Sequence, residues 1–183
     1  MAGKKIAVLV GSLRKESFNR KIAQHLINLA PESLELQIIE IGQLPHYNQD
    51  LDENPPPEFT DFRKKIKESD GLLFVTPEYN RSVPGVLKNA IDVGSRPYGS
   101  SSWEGKPGAV VSVTPSGLGA FGANHHLRQA MVFLNVFMMQ QPEAYIANVA
   151  KLMDEQGELV EDTRKFLQNF MNAFEAWVQR FSG

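Results

Sequence analysis

The sequence predicts an α/β fold in which a five-stranded parallel sheet lies between two layers of helices, a three-layer sandwich. Three observations carry it. Short, almost wholly apolar runs recur at Lys5–Val10, Gly71–Thr76 and Ala109–Val113, the pattern of strands buried on both faces. Between them, apolar residues fall at helical spacing. Strand and helix alternate along the 183 residues without repeat or low-complexity stretch, so residues 1–183 read as one domain.

Each element has a local reason. Lys5 to Val10 is closed by Gly11-Ser12, and Ile22, Ala23, Leu26, Ile27, Leu29 and Ala30 then mark a helix over roughly 18–29, stopped by Pro31. Leu34 to Ile41 reads as a second strand, Pro45 to Pro57 as a proline-rich connection whose acids Asp50, Asp52 and Glu53 face solvent, and Phe59, Phe62 and Ile66 as a second helix ending near Ser69. The third strand ends at Pro77. A third helix starts near Val83-Pro84, since proline suits a first turn, and turns Leu87, Ala90 and Ile91 inward. Ser95 to Lys106 reads as a polar, glycine-rich loop. Leu127, Met131 and Leu134 mark a fourth helix, and Met138 to Ile146 contains a short fifth strand. The stripe Phe166, Phe170, Phe174, Trp177 and Phe181 belongs to a C-terminal helix and reads as core packing.

Composition narrows the function. Nineteen Lys and Arg against 21 Asp and Glu give a net charge of −2, so no global field draws nucleic acid or an anionic membrane. Any anion must be held locally. With no cysteine, disulfides, thiolate nucleophiles, iron–sulfur clusters and cysteine-bound zinc drop out, which fits a reducing cytoplasm. The apolar run Ile6–Val10 is too short for a secretory core or a membrane span.

Open parallel sheets bind ligands beyond the C-terminal ends of their strands, where strand order reverses. The loops after strands one, three and four are therefore the informative ones. The first, Gly11-Ser12-Leu13-Arg14-Lys15-Glu16-Ser17-Phe18-Asn19-Arg20, runs into a helix start and adds hydroxyl, amide and cationic donors to its free N–H groups. It has the composition of a phosphate cradle but is no Walker loop. The alternative is a polar connection in which Ser17 only caps the helix. The second, Thr76-Pro77-Glu78-Tyr79-Asn80-Arg81-Ser82-Val83-Pro84-Gly85, is stiffened by two prolines and offers an aromatic face and an amide to a flat heterocycle, or is an ordinary turn. The third, Thr114-Pro115-Ser116-Gly117-Leu118-Gly119-Ala120-Phe121-Gly122, contains a literal Gly-x-Gly-x-x-Gly. It follows the fourth strand and lacks a properly placed acid, so it is no dinucleotide fingerprint; its glycines let backbone approach a ligand. The histidines at 25, 46, 125 and 126 lack metal-ligand spacing, and no Gly-x-Ser-x-Gly elbow is present.

These motifs, Gly11-Ser12-Leu13-Arg14 with Ser17-Phe18-Asn19, then Pro77-Glu78-Tyr79-Asn80 and Ser82-Val83-Pro84-Gly85 with Leu87-Lys88-Asn89-Ala90-Ile91-Asp92, resemble the NADPH-dependent FMN reductase family. Within it, the chain is most similar to the bacterial quinone reductases also described as chromate reductases. The resemblance covers essentially the whole chain. It implies a flavodoxin-like fold with strand order 2-1-3-4-5 and bound FMN. Residues 12–19 (Ser12, Leu13, Arg14, Lys15, Glu16, Ser17, Phe18, Asn19) would surround the FMN phosphate. Pro77, Glu78, Tyr79 and Asn80 would line the ring, and Thr114, Ser116 and Gly117 would approach the flavin or its ribityl chain from the third loop. It further implies NADPH or NADH as donor and hydride passing through flavin N5 by ping-pong exchange. The acceptor would be a quinone or, secondarily, a metal oxyanion such as chromate, with assembly as a homodimer or homotetramer. Arg81 and Arg96 are candidate anion contacts at the flavin mouth, or simply surface and interface arginines. No side chain need act as catalytic acid or base, because the cofactor carries the chemistry. The competing readings are a flavodoxin-like electron carrier and a flavin-free binding module on the same fold.

Overall fold

The computed structural model describes residues 3–181. A parallel sheet runs in the order β2-β1-β3-β4-β5, built from β1 (Lys4–Val10), β2 (Leu34–Ile38), β3 (Gly71–Thr76), β4 (Pro107–Val113) and β5 (Phe137–Met138); a sixth strand, β6 (Ala144–Ile146), also pairs with β4. Every pairing is parallel, with Val8 beside Ile38 and Leu73, and Leu73 beside Ala109. Because successive strand side chains alternate, Ile6, Val8, Val10, Leu73 and Val75 face one core, with α1 (Phe18–Asn28) and α5 (Glu161–Gln179). Ala7, Leu9, Leu72 and Phe74 face the other, with α2 (Pro57–Lys67), α3 (Gly85–Gly94) and α4 (Phe121–Phe133). All residues of β3 and β4 are buried, which is why these strands read as unbroken apolar runs.

The expected fifth strand is two. Phe137–Met138 pairs with Pro107–Gly108, and Ala144–Ile146 rejoins β4 at Val111–Val113. Between them Pro142, which has no N–H to give a ladder, sits in a detour from the sheet. The exposed edge is covered by the C-terminal helix: the Trp177 indole N–H donates to the Phe137 carbonyl at 2.8 Å. Phe170 and Phe174 of the aromatic stripe are buried, while Phe181 is exposed and stacks on Phe137.

Two further segments differ from the sequence reading. The 95–106 stretch is irregular, but Trp103 within it is fully buried, donates from Nε1 to the Ile91 carbonyl at 2.9 Å and meets Phe62 edge-on. A Cβ on Gly94 would lie 2.5 Å from the Trp103 ring, so only glycine fits there. Asp52 does not face solvent. It accepts from the Tyr47 hydroxyl at 3.0 Å and pairs at 3.8 Å with Arg63, whose side chain is buried on the inner stripe of α2 and donates to the Val93 carbonyl. This pair folds the proline-rich loop down onto α2 and α3.

Candidate functional site

The loops after β1, β3 and β4 converge at the C-terminal edge of the sheet. They enclose a cleft of about 230 Å³ whose walls include Ser12, Arg14, Ser17, Asn19, Tyr79 and Thr114. A wider groove of about 500 Å³ lies beside Phe137 and Trp177 at the other end of β4, but no helix start opens into it.

The first loop forms its floor. The Gly11 N–H donates to the Val75 carbonyl at 2.9 Å, and a Cβ on Gly11 would sit 3.1 Å from Thr76 and 3.2 Å from Pro77, so loops one and two touch there. Ser17 is the N-cap of α1: its Oγ accepts from the Arg20 N–H at 3.2 Å and its carbonyl from the Lys21 N–H at 3.0 Å. These bonds leave the N–H groups of Phe18 and Asn19, the first two of the helix, without an intrahelical partner. Ser12, Ser17 and Asn19 are buried, whereas Arg14 and Lys15 are exposed and, among the described residues, make no ion pair. Glu16 is turned to Lys21 at 3.5 Å, Leu13 lies against Gly42, and Phe18 packs into the α1–α5 core. Residues 13 and 16 thus frame the loop, Phe18 also borders the cleft, and 12, 14, 17 and 19 present polar groups to it.

Asn19 carries the most specific signal. Its Nδ2 donates to the Val113 carbonyl at 3.4 Å, and its buried Oδ1 has no donor. An unsatisfied buried oxygen costs about 1–3 kcal/mol. A hydroxylated chain running from the helix start toward β4 would supply that donor, and the free helix N–H groups suit a phosphate. The residues present fit FMN.

In the second loop, Pro77 is buried and Tyr79 is half exposed at the cleft. Asn80 and Arg81 take left-handed conformations (φ 51° and 65°), forming a two-residue turn closed by hydrogen bonds between Tyr79 and Ser82. Glu78 borders the cleft, and its carboxylate accepts from the Ala123 N–H of α4 at 3.0 Å and from Arg81 at 3.1 Å.

The third loop contributes Thr114 and Pro115 to the wall. Its backbone is held by the segment after β6, with the Asn148 N–H donating to the Ser116 carbonyl and the Val149 N–H to the Thr114 carbonyl. The Thr114 hydroxyl bonds Ser116 at 3.1 Å, and Gly117 is exposed with open space where a Cβ would stand. Gly119 and Gly122 do not make room for a ligand, as their spacing had suggested. A Cβ on Gly119 would strike Tyr145, and one on Gly122 would strike Arg81 and Glu78. They serve protein contacts.

Arg96 is not brought to the cleft. It follows the C-terminus of α3, and ten residues at about 1.5 Å each carry it some 15 Å from the helix start. Its guanidinium lies over the rings of Tyr47 and Tyr98 and donates to the Tyr47 hydroxyl. Arg81 stands at the rim, paired with Glu78. Three of the four histidines are engaged elsewhere: His25 with the Gly157 carbonyl, His126 with Ser82, and His125 with Tyr145. Burial, with a hydrogen bond to Glu143, pushes the Tyr145 hydroxyl up to about 12. Among the described residues no cluster of histidine and acid side chains is placed to hold a metal ion, and no helix is long and apolar enough to cross a membrane.

Residues 4–151 match the family model for NADPH-dependent FMN reductases. The chain belongs to that family. This NADPH-dependent FMN reductase fold is flavodoxin-like, and FMN and a reduced nicotinamide are the cofactors that membership brings. The chain is 61% identical over 175 residues to a quinone reductase of Pseudomonas putida, covering 95% of this chain and 94% of the relative. It is 49% identical to a 2-hydroxy-1,4-benzoquinone reductase of a Burkholderia species, covering 96% of each. Among solved structures, the flavoenzyme NAD(P)H:acceptor oxidoreductase of Paracoccus denitrificans superposes with a TM-score of 0.92 at 45% identity, over 97% of this chain and 98% of that one.

Proposed function

We propose that the protein is an FMN-dependent NAD(P)H:quinone oxidoreductase that works by ping-pong exchange, with chromate and other electrophiles as secondary acceptors. Held in the cleft, FMN would supply the two-electron chemistry between nicotinamide and acceptor, with N5 as the atom that would receive hydride. The chain binds and orients. The α1 start and Ser12 hold the phosphate, with Arg14 and Lys15 adding charge from the rim. Asn19 Oδ1 takes a hydrogen bond from the polyol chain. Pro77, Tyr79 and the 77–80 backbone would line the ring, and Thr114, Ser116 and Gly117 would approach the flavin or its ribityl chain from the third loop. The exposed side chains of Tyr98, Val132 and Phe133 support self-association as a dimer or tetramer.

The observation that carries this reading is the buried, donorless Asn19 Oδ1 beside a capped helix start whose first two N–H groups are free. The test is direct. Purified protein incubated with FMN is expected to retain it through gel filtration, to oxidise NAD(P)H on addition of a quinone, and to give parallel lines in double-reciprocal plots. Flavin retained without turnover would make it a carrier, and intersecting lines would replace exchange with a ternary complex.

A further inference from the structure

Helix α4 starts without a cap of its own. Ala120, the residue before it, is left-handed at φ 55° and ψ 40°, offers no side-chain acceptor, and is followed by no acid in the first turn. The acceptor comes from 45 residues away, as Glu78 Oε2 takes the Ala123 N–H at 3.0 Å. That carboxylate is only 10% exposed, whereas its other partner, Arg81, is 74% exposed. The shielded contact to the positive helix end is therefore the stronger of the two.

The same place shows other ties. A Cβ on Gly122 would come 2.7 Å from the Arg81 carbonyl and 2.9 Å from Glu78 Oε2, so the β3–α3 turn lies directly on the helix. Ser82 Oγ and His126 Nδ1 are 3.0 Å apart. Consecutive left-handed residues without glycine, here Asn80 and Arg81, need such outside support. The turn forms one wall of the cleft, and the loop leading into α4 forms the other.

We propose that Glu78 is a positioning residue: by capping α4 it fixes the separation of the two cleft walls, so that the flat ring of the flavin enters a preformed slot. This rests on the flavin reading of the site. Glu78 acts through the helix start, since its oxygens are already engaged, one by the Ala123 N–H and one by Arg81.

Three variants test it. Glu78→Gln keeps an acceptor for Ala123, Glu78→Ala removes it, and Gly122→Ala pushes the turn off the helix with Glu78 intact. The readouts are FMN affinity by quenching of flavin fluorescence, and amide exchange at residue 123 in flavin-free protein. Glu78→Ala and Gly122→Ala are each expected to weaken FMN about tenfold, and Glu78→Gln by no more than about threefold. The double variant should fall within about twofold of either single, because both break one contact. Faster exchange at Ala123 with FMN affinity unchanged would mean a cap without a positioning role, and unchanged exchange would deny the cap; either overturns the proposal. Should Glu78→Ala not fold, Gly122→Ala decides alone, and unchanged affinity there overturns it equally. Wild-type protein that binds no FMN overturns the flavin reading and the slot together, and is told apart because the exchange difference at Ala123 persists.

Discussion

Helices α1 and α4 both start at the C-terminal edge of the sheet, one after β1 and one after β4, yet their N-termini have opposite fates. The α1 start is capped by its own neighbour, Ser17, which takes the third N–H of the helix and leaves the first two to the cleft. The α4 start is capped across the fold by Glu78, and glycine at 122 lets the β3–α3 turn close over it. The difference teaches that a helix N-terminus becomes a ligand site only where the protein leaves its donors unspent. Both loops are glycine-containing and polar, and only the partners of their N–H groups tell them apart.

The sharpest way to break this comparison is to change the charge at the α1 start while keeping its cap. Aspartate caps as well as serine, so Ser17→Asp should leave the flavin-free protein within a few degrees of the wild-type melting point. Two like unit charges about 4 Å apart repel by about 4 kcal/mol at an effective dielectric near 20, so a carboxylate at the helix start that would hold the phosphate should oppose it strongly. FMN affinity, followed by fluorescence titration, should fall at least about 100-fold, while riboflavin affinity hardly moves. Asn19→Leu is next. Removing an oxygen that is satisfied only by ligand should weaken FMN about tenfold, while calorimetry of the flavin-free protein shows little loss of stability.

Smaller effects sharpen the contrast. Arg96→Ala should leave the KM for NADPH and for chromate within about twofold, since its guanidinium is held by tyrosines at the far end of α3. Tyr145, beside the third loop, gives the smallest effect. Its folded pKa lies above its unfolded value near 10, so its contribution to stability is complete below pH 10 and is lost as pH rises toward 12. Denaturant titrations of Tyr145→Phe should differ in pH dependence from wild type only in that alkaline window.

Much of this was legible from local pattern. The buried strands announce themselves because both faces are apolar, and Ser17 announces the α1 cap because that cap is a neighbour in sequence. Contacts between distant residues left weaker marks. Arg63 falls on the apolar stripe of α2 with Phe59, Phe62 and Ile66, and a cation there implies a buried acid, which Asp52 supplies. A helix opening Ala120-Phe121 with no Ser, Thr, Asp or Asn before it implies a cap from elsewhere, which Glu78 supplies. Neither mark names its partner. Trp103 left none, since a lone aromatic in a polar segment has no period, and Gly119 and Gly122 match a ligand motif while serving the contacts of Tyr145 and Arg81.

The central claim, that the phosphate is read by the start of α1 and not by that of α4, is tested most directly by comparing amide resonances of the FMN-loaded and riboflavin-loaded protein. The two ligands differ only in the phosphate. The differences should concentrate in residues 12–19, with the Phe18 and Asn19 amides moving most and Ala123 unmoved. Differences centred on residues 121–124, with Phe18 and Asn19 unchanged, would contradict it.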